Sequence, residues 1–551
     1  MDKLELHLTP DKNGFDRLYR IKEIENKERI MRAVNGNIEN VSRIESDFDA
    51  RITNLVVNAP GGNDPMVLDS LTDGSMQFES LRKRFDYEKS KRELQHYYIN
   101  VEEFPRLAVE QFDNPRIQRA IDTVGKIGGG VVYLHKSTTI NSPIALGDNV
   151  CLMGNGVASI IKCAGQDKYP AIVNKDITNG NNYISIIDVF IDVDAEYRGL
   201  LADNSSNGIK IGANDTNTCD NLYISGVWIK NAGHAGMYVS NTTNFIISQN
   251  LIFNAYRDGI AVWFNSSAGI ISDNIVRDCG DDCIALNSEA PGHENAKCRD
   301  IAISGGVLSH RNSSIFGGGV RIGGCDNITV SDVIVNRVQG HGIAVSGTLV
   351  TNRQSINVTV ANCIVKNSGT NPSAVASGIV LSNCIDSSVQ GCKVIDFYNS
   401  GIYISPDSLE CSVHDNHVKL GKKSTSTGIA VDGKINDVQN NKISEIQGSG
   451  IVINSDNNLV QSNIVRNCCK EQTGGAYILI ANSSNFHTIQ GNKLTRTQTI
   501  YGSFGIRVAT GTSNGCFITN NHTVNFHQGN GVSSGSTGIN SITNNFEVIA
   551  S

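Results

Sequence analysis

The sequence predicts an all-β chain wound as a right-handed, single-stranded parallel β-helix behind an N-terminal α-helical, coiled-coil region, and three observations predict it. A Gly-x-φ-x-φ unit, with φ apolar, recurs as AGMYV at 235–239, DGIAV at 258–262, GGVRI at 318–322, HGIAV at 341–345, SGIVL at 377–381, SGIYI at 400–404, TGIAV at 427–431 and SGIVI at 449–453. Its commonest step is 22–23 residues. A second strand motif keeps phase with it, as QNLIF at 249, DNIV at 273, ANCIV at 361, DNHVKL at 415, NNKI at 440, SNIV at 462, GNKL at 491 and NNHTV at 520. Composition agrees: 54 Gly, only 10 Pro, and Val and Ile in excess over aromatic residues suit short strands joined by tight turns.

Two short strands plus turns in such a repeat make one coil, and successive coils lie about 4.8 Å apart. The repeat region then predicts roughly 17 to 19 coils and a rod on the order of 80–90 Å long. Leucine-rich and propeller repeats have other periods and strand counts. The Asn of the second motif reads as a ladder stacked in the turns, where Asn tolerates left-handed backbone.

Four regions follow. Residues 1–58 are an attachment region, with Ile30, Val34, Ile38, Val41, Ile44, Phe48, Ile52 and Leu55 spaced as a coiled-coil seam. Residues 59–114 open on the hinge Ala59-Pro60-Gly61-Gly62-Asn63-Asp64-Pro65 and return to charged helical text such as FESLRKRFDYEKSKREL. Residues 115–165 give one short helix, then Gly128-Gly129-Gly130 and the first strands. Residues 166–551 are the β-helix body.

A formal charge of -7, from 47 basic and 54 acidic residues, with no basic stripe interleaved with aromatics, argues against nucleic acid as a partner. No window approaches the ~18 apolar residues of a membrane span, and MDKLELHLTPDKNG lacks a signal-peptide pattern. The expectation is a protein made in a cytoplasm, without membrane insertion. The 14 cysteines, scattered from Cys151 to Cys516 without a CxxC pair, read as small buried thiols.

Strand alternation turns the residue between the two φ positions outward. Tyr238, Ala261, Ala285, Arg321, Ala344 and Tyr403 therefore form one column. The residue before each Gly forms another: Ala235, Asp258, Asp281 or Asp282, Gly318, His341, Ser377 and Ser400. Asp258, Asp281 and Asp282 thus fall on adjacent coils, and close carboxylates repel until one holds a proton while another stays charged. That is the acid and base pair of glycoside hydrolysis. Arg321, His341 and His310 are candidate substrate contacts, and Tyr238, Tyr256, Trp263 and Tyr403 are candidate sugar platforms. Three carboxylates could also supply part of a Ca²⁺ shell, although no cofactor is required.

The stretch IQRAIDTVGKIGGGVVYLHKSTTINSPIALGDNVCLMGNGVASIIK resembles the N-terminal cap of the pectate-lyase-like β-helix superfamily, also called the pectin-lyase fold, in which a helix covers the open end. VVNAPGGNDPMVLDSLTD through RFDYEK is similar to linkers that join phage tail proteins to receptor-binding parts. YRDGIAV followed by GDDCIALNS resembles the paired signature of polygalacturonases, inverting hydrolases of this fold. The resemblance implies Asp281 as general acid, with Asp258 and Asp282 activating water. Where that family has Gly-His-Gly, this chain has Gly317-Gly318-Gly319, and its Arg-Ile-Lys is echoed by Arg321-Ile322-Gly323. Together the resemblances imply a homotrimeric phage tail spike, a virion protein fixed to the tail or baseplate through residues 1–114, that binds and cuts a host-surface polysaccharide or teichoic-acid-like polymer. A non-catalytic receptor-binding spike and a Ca²⁺-dependent lyase with Arg321 as base remain alternatives.

Overall fold

The computed structural model describes residues 72–73, 76–77 and 98–548, except 197, 215–216, 289–295, 311–316, 349–352, 371–375, 471–474, 482–483, 498–503, 510–513, 527–530 and 535–540. The chain divides into two compact units, Met1–Glu93 and Leu94–Ser551. In the first, Thr72–Asp73 pairs antiparallel with Met76–Gln77, a short hairpin within text expected to be helical. The rest of the text expected to be helical, up to residue 97, lies outside the described residues. The predicted coiled-coil seam lies outside the described residues.

The second unit is a right-handed parallel β-solenoid. Its first face is a ladder of 15 parallel strands from Ile144–Leu146 to Val532–Ser534. From Ile209–Gly212 onward each coil has separate strands on three faces, giving about 13 such turns. The coil number is lower than the repeat predicted because several coils are long. Ile284 pairs with Val320, and Ile343 with Ile379, each 36 residues on.

Inward positions stack like on like. Ile209, Met237, Ile260, Ile284, Val320, Ile343, Ile379, Ile402, Ile429 and Ile451 run along one line, all buried. Burying each such side chain stabilises the rod by about 1.5–3 kcal/mol. The glycine that opens the unit is needed for close approach. At Gly342 a Cβ would lie 2.3 Å from Val365 Cγ1 and 2.5 Å from Gly378 O.

The Asn ladder is real, with its roles divided. Asn416, Asn441, Asn463, Asn492 and Asn521 are buried, and each backbone N–H donates to the side-chain oxygen of the Asn one coil on, at 2.9–3.0 Å. Their Nδ2 groups donate to backbone carbonyls, as Asn463 does to Val438 O at 2.8 Å. The left-handed backbone belongs to the residue before each of them: Asp415, Asn440, Ser462, Gly491 and Asn520 have φ of 56–67°. An earlier pair, Asn250 and Asn274, is separated from this ladder by four coils that put Gly306, Val333, Cys363 and Cys392 in the same place. All 14 cysteines are free thiols, and all but Cys151 are buried.

Helix α1 (Asn114–Lys126) begins with Pro115 in its first turn and buries Ile117, Ala120, Ile121 and Val124 against Gly130–Tyr133 and Ile144–Leu146. It covers the first coil, which would otherwise expose unpaired strand edges. The sheet takes one further strand, Tyr98–Asn100, from the stretch assigned to the linker, paired in parallel with Gly130–Tyr133. Among the described residues, no helix is long and apolar enough to cross a membrane.

Candidate active site

Three neighbouring turns lead from the third face into the first-face strands Met237–Ser240, Ile260–Trp263 and Ile284–Asn287. Backbone bonds fix their register. Gly236 N–H donates to Asp258 O at 3.0 Å, Gly259 N–H to Asp282 O at 3.0 Å, Cys283 N–H to Gly318 O at 3.1 Å and Gly319 N–H to His341 O at 3.1 Å. Asp258, Asp282, Gly318 and His341 therefore share the column before the glycine. Asp281 stands one position earlier, level with Arg257 and His234 through the bonds from Asp281 N–H to Arg257 O (3.3 Å) and from Arg257 N–H to His234 O (3.0 Å).

One carboxylate oxygen from each of Asp258, Asp281 and Asp282 lies within 4.8 Å of the other two. This is the spacing of the nearest oxygens, whereas the ~6.5–9.5 Å of an inverting pair is the separation between whole carboxyl groups. The three differ in surroundings. Asp258 is buried, and burial together with the Asp282 and Asp281 charges pushes its carboxyl well above the usual range. Asp282 is partly exposed. Desolvation and the neighbouring Asp281 push it up to about 6, against the pull of Arg321 and of Gly318 N–H, which donates to its Oδ1 at 3.0 Å. Asp281 forms an ion pair with Arg257 Nη2 at 2.9 Å.

The raised Asp282 has a sign. Its folded value near 6 lies above the 3.8 of an ordinary aspartate, so the folded state binds the proton more tightly. The stabilising contribution is whole below about pH 4 and lost as pH rises through about 6. Because the side chain still meets water, we expect Asp282→Asn to stabilise the protein by about 1–2 kcal/mol near pH 8 and hardly at all near pH 4. Thermal midpoints at the two pH values check this; an equal shift at both would contradict it.

Gly318 explains the missing Gly-His-Gly. A Cβ there would lie 2.7 Å from Asp282 Oδ1 and 2.8 Å from His341 O, so no imidazole can grow from this position without displacing the carboxylate. His341 occupies the same column one coil on. Its Nδ1 accepts the Ser377 N–H at 3.0 Å, which leaves the neutral ring's proton on Nε2. Burial and Arg321 lower its pKa.

The outward column is as predicted: Tyr238, Ala261, Ala285, Arg321 and Ala344 are paired in sequence. The two alanines between Tyr238 and Arg321, Ala261 and Ala285, are buried beneath the surface of this column. Trp263 lies beside it, its ring centroid 6.0 Å from that of Tyr238, and Lys210 Nζ lies 5.7 Å from the Tyr238 centroid. Tyr256 stands in the Asp258 turn, half-buried. Tyr403 is farther along the column, and its hydroxyl donates to Asp432 Oδ2 at 2.8 Å.

His310 is a correction. It was expected on the substrate face, yet it is 2% exposed and lies inside the solenoid. Its N–H bonds to Arg337 O, which sets it level with the buried Val338. Two residues were missed, Arg257 and His234; a basic residue next to an aspartate reads in sequence as an ordinary solvated pair. A groove of about 920 Å³ at the cap end, lined by Asp122, Lys126, Asp148 and Lys175 among others, holds none of the candidate residues. For a cation, the aspartates would offer three oxygens of the six to eight that Ca²⁺ takes, with Arg257 and Arg321 already set against their charge.

Residues 303–463 match the family described as "Right handed beta helix region". No curated protein matches the chain. Among solved structures, pre-mature gene product 12 of bacteriophage phi29 is similar, with 13% identity over 84% of this chain and 75% of that one, at a TM-score of 0.57. So are full-length tailspike protein 2 of Escherichia coli O157:H7 bacteriophage CAB120 (16% identity, 58% and 42% covered, TM-score 0.42) and an exopolygalacturonase of Thermotoga maritima (13%, 69% and 91%, 0.38). The likeness to gene product 12 establishes a shared fold and nothing more specific.

Proposed function

We propose that this chain is a phage tail spike whose β-helix binds a host-surface polysaccharide or teichoic-acid-like polymer and hydrolyses it at Asp258, Asp281 and Asp282. The observation that carries the reading is the carboxylate cluster, in which one member is ion-paired and two have raised pKa values. These surroundings favour roles exchanged from those the resemblance implied. Asp282, reachable and titrating near 6, gives its proton to the leaving glycosidic oxygen as the bond to the anomeric carbon breaks. Asp281, held by Arg257, takes a proton from the water that attacks that carbon. Buried Asp258 keeps its own proton and so lowers the negative charge beside the other two. Tyr238 and Trp263 offer sugar faces a platform, and Arg321 and Nε2 of His341 offer polar contacts.

Incubation with a panel of capsular and cell-wall glycans tests this. Hydrolysis should give new reducing ends without an unsaturated product, fastest below about pH 6 and falling as Asp282 loses its proton. A chelator-sensitive unsaturated product would favour the lyase instead. Saturable binding to an intact polymer would favour the receptor-binding spike, the second reading, which the absence of an imidazole at Gly318 supports.

The homotrimer belongs to the same proposal. Its support is an outward column on the third face that is apolar for eight coils, Ile160, Phe190, Trp228, Leu251, Ile275, Val307, Ile334 and Ile364, before Lys393 replaces it. Light scattering of the full chain should give three protomers; a monomer at micromolar concentration would contradict the trimer.

A further inference from the structure

The turn that carries Asp282 rests on an imidazole that never reaches the surface. His310 Nε2 lies 3.1 Å from Gly318 O and 3.5 Å from Cys283 Sγ. A carbonyl only accepts, so Nε2 carries the proton and donates to it. The ring's buried Nδ1 makes no well-aligned hydrogen bond among the described residues, although the Cys279 backbone lies near the ring, and burial lowers the ring's pKa, so the imidazole is neutral. The same glycine gives its N–H to Asp282 Oδ1 at 3.0 Å. The ring also sits directly beneath Gly317, where a Cβ would lie 2.8 Å from His310 Cε1 and 2.2 Å from Asp281 O. Gly317 and Gly318 are thus laid over one imidazole, and the carboxyl of Asp282 hangs from their outer side.

We propose that His310 is a positioning residue for the carboxylate cluster: holding the Gly318 carbonyl from inside the solenoid, it fixes the N–H that receives Asp282. It touches no substrate and donates no proton to the reaction. The geometry stands without the hydrolase reading, but its catalytic consequence rests on that reading. The titratable and charged groups facing Asp282 are Asp258, Asp281, Arg257, Arg321, His341 and the Cys283 thiol, with Asp278 facing His310, and a substitution at 310 replaces none of them.

The test compares His310→Gln, which retains an N–H donor of similar reach, with His310→Leu, which has none. In the Leu variant the Asp282 carboxylate loses a fixed donor, so its charged form is less favoured. The upper pH limb of cleavage should then move to higher pH, and kcat should fall by about 10-fold or more with KM nearly unchanged. The Gln variant should recover most of both. In parallel, the pH midpoint at which Asp282→Asn begins to stabilise the protein is measured in each background; it should rise in the Leu variant and not in the Gln variant. Equal behaviour of Gln and Leu, or a loss of thermal stability without movement of either pH midpoint, would overturn the proposal. A parent protein that cuts no polymer overturns the hydrolase reading instead, and the stability midpoint then decides alone on His310.

Discussion

Asp282→Asn and Asp281→Asn are each expected to lower polymer cleavage by about 10²–10⁴-fold while leaving affinity for intact polymer within a few-fold. The two substitutions fail for different reasons. Asn at 282 can still accept the Gly318 N–H, so the turn keeps its shape, but it has no acidic proton for the leaving oxygen. Asn at 281 breaks the ion pair with Arg257 and cannot take the proton of an attacking water. Initial rates on a cleaved polymer, beside binding to the same polymer by the variants, check both. Unchanged rates in either variant would remove that residue from the reaction.

The largest effect on stability is expected in the core, beside the same coils. The inward line Leu222, Phe245, Gly269, Ile301 holds one large ring over one glycine. A Cβ at 269 would lie 2.0 Å from Phe245 Cζ, so the ring occupies the space of two side chains. Gly269→Ile alone should destabilise by about 3 kcal/mol or more, since an overpacked core must shift backbone or force poor rotamers. Phe245→Ile alone leaves a cavity above the glycine, costing about 2–4 kcal/mol. The double variant restores the aliphatic pattern of the neighbouring coils and should recover most of both losses, a coupling well outside the ~0.5 kcal/mol of independent sites. Denaturant midpoints followed by circular dichroism would show it. Additive losses would mean that the ring does not fill the glycine's space.

The fold was legible because the solenoid repeats its own constraints. Gly342 and its equivalents recur for want of room, and the φ positions recur because they stack on one another. The coil count was less legible, since the long steps from Ile284 to Val320 and from Ile343 to Ile379 carry residues with no part in the repeat. The turns were half legible. Asn was recognised as their residue, but the ladder Asn and the left-handed residue before it are distinguished only by which one faces the core, as with Asn463 and Ser462.

The site divided along similar lines. Asp258 and Asp282 could be aligned because each precedes a first-face strand, and Asp281 followed from adjacency. Their unequal surroundings could not be read, because Arg257 reaches Asp281 from the coil before and Gly318 reaches Asp282 from the coil after. The sequence misplaces His310 for want of register: it directly follows the strand Val307–Ser309, yet is level with the buried Val338 by pairing.

The most direct test of the hydrolytic site is cleavage in water enriched in ¹⁸O, with the products read by mass spectrometry. Hydrolysis at the aspartate cluster predicts one ¹⁸O at each newly formed reducing end, and none with Asp281→Asn. Shortened polymer without ¹⁸O, or polymer that stays intact while bound, would contradict it.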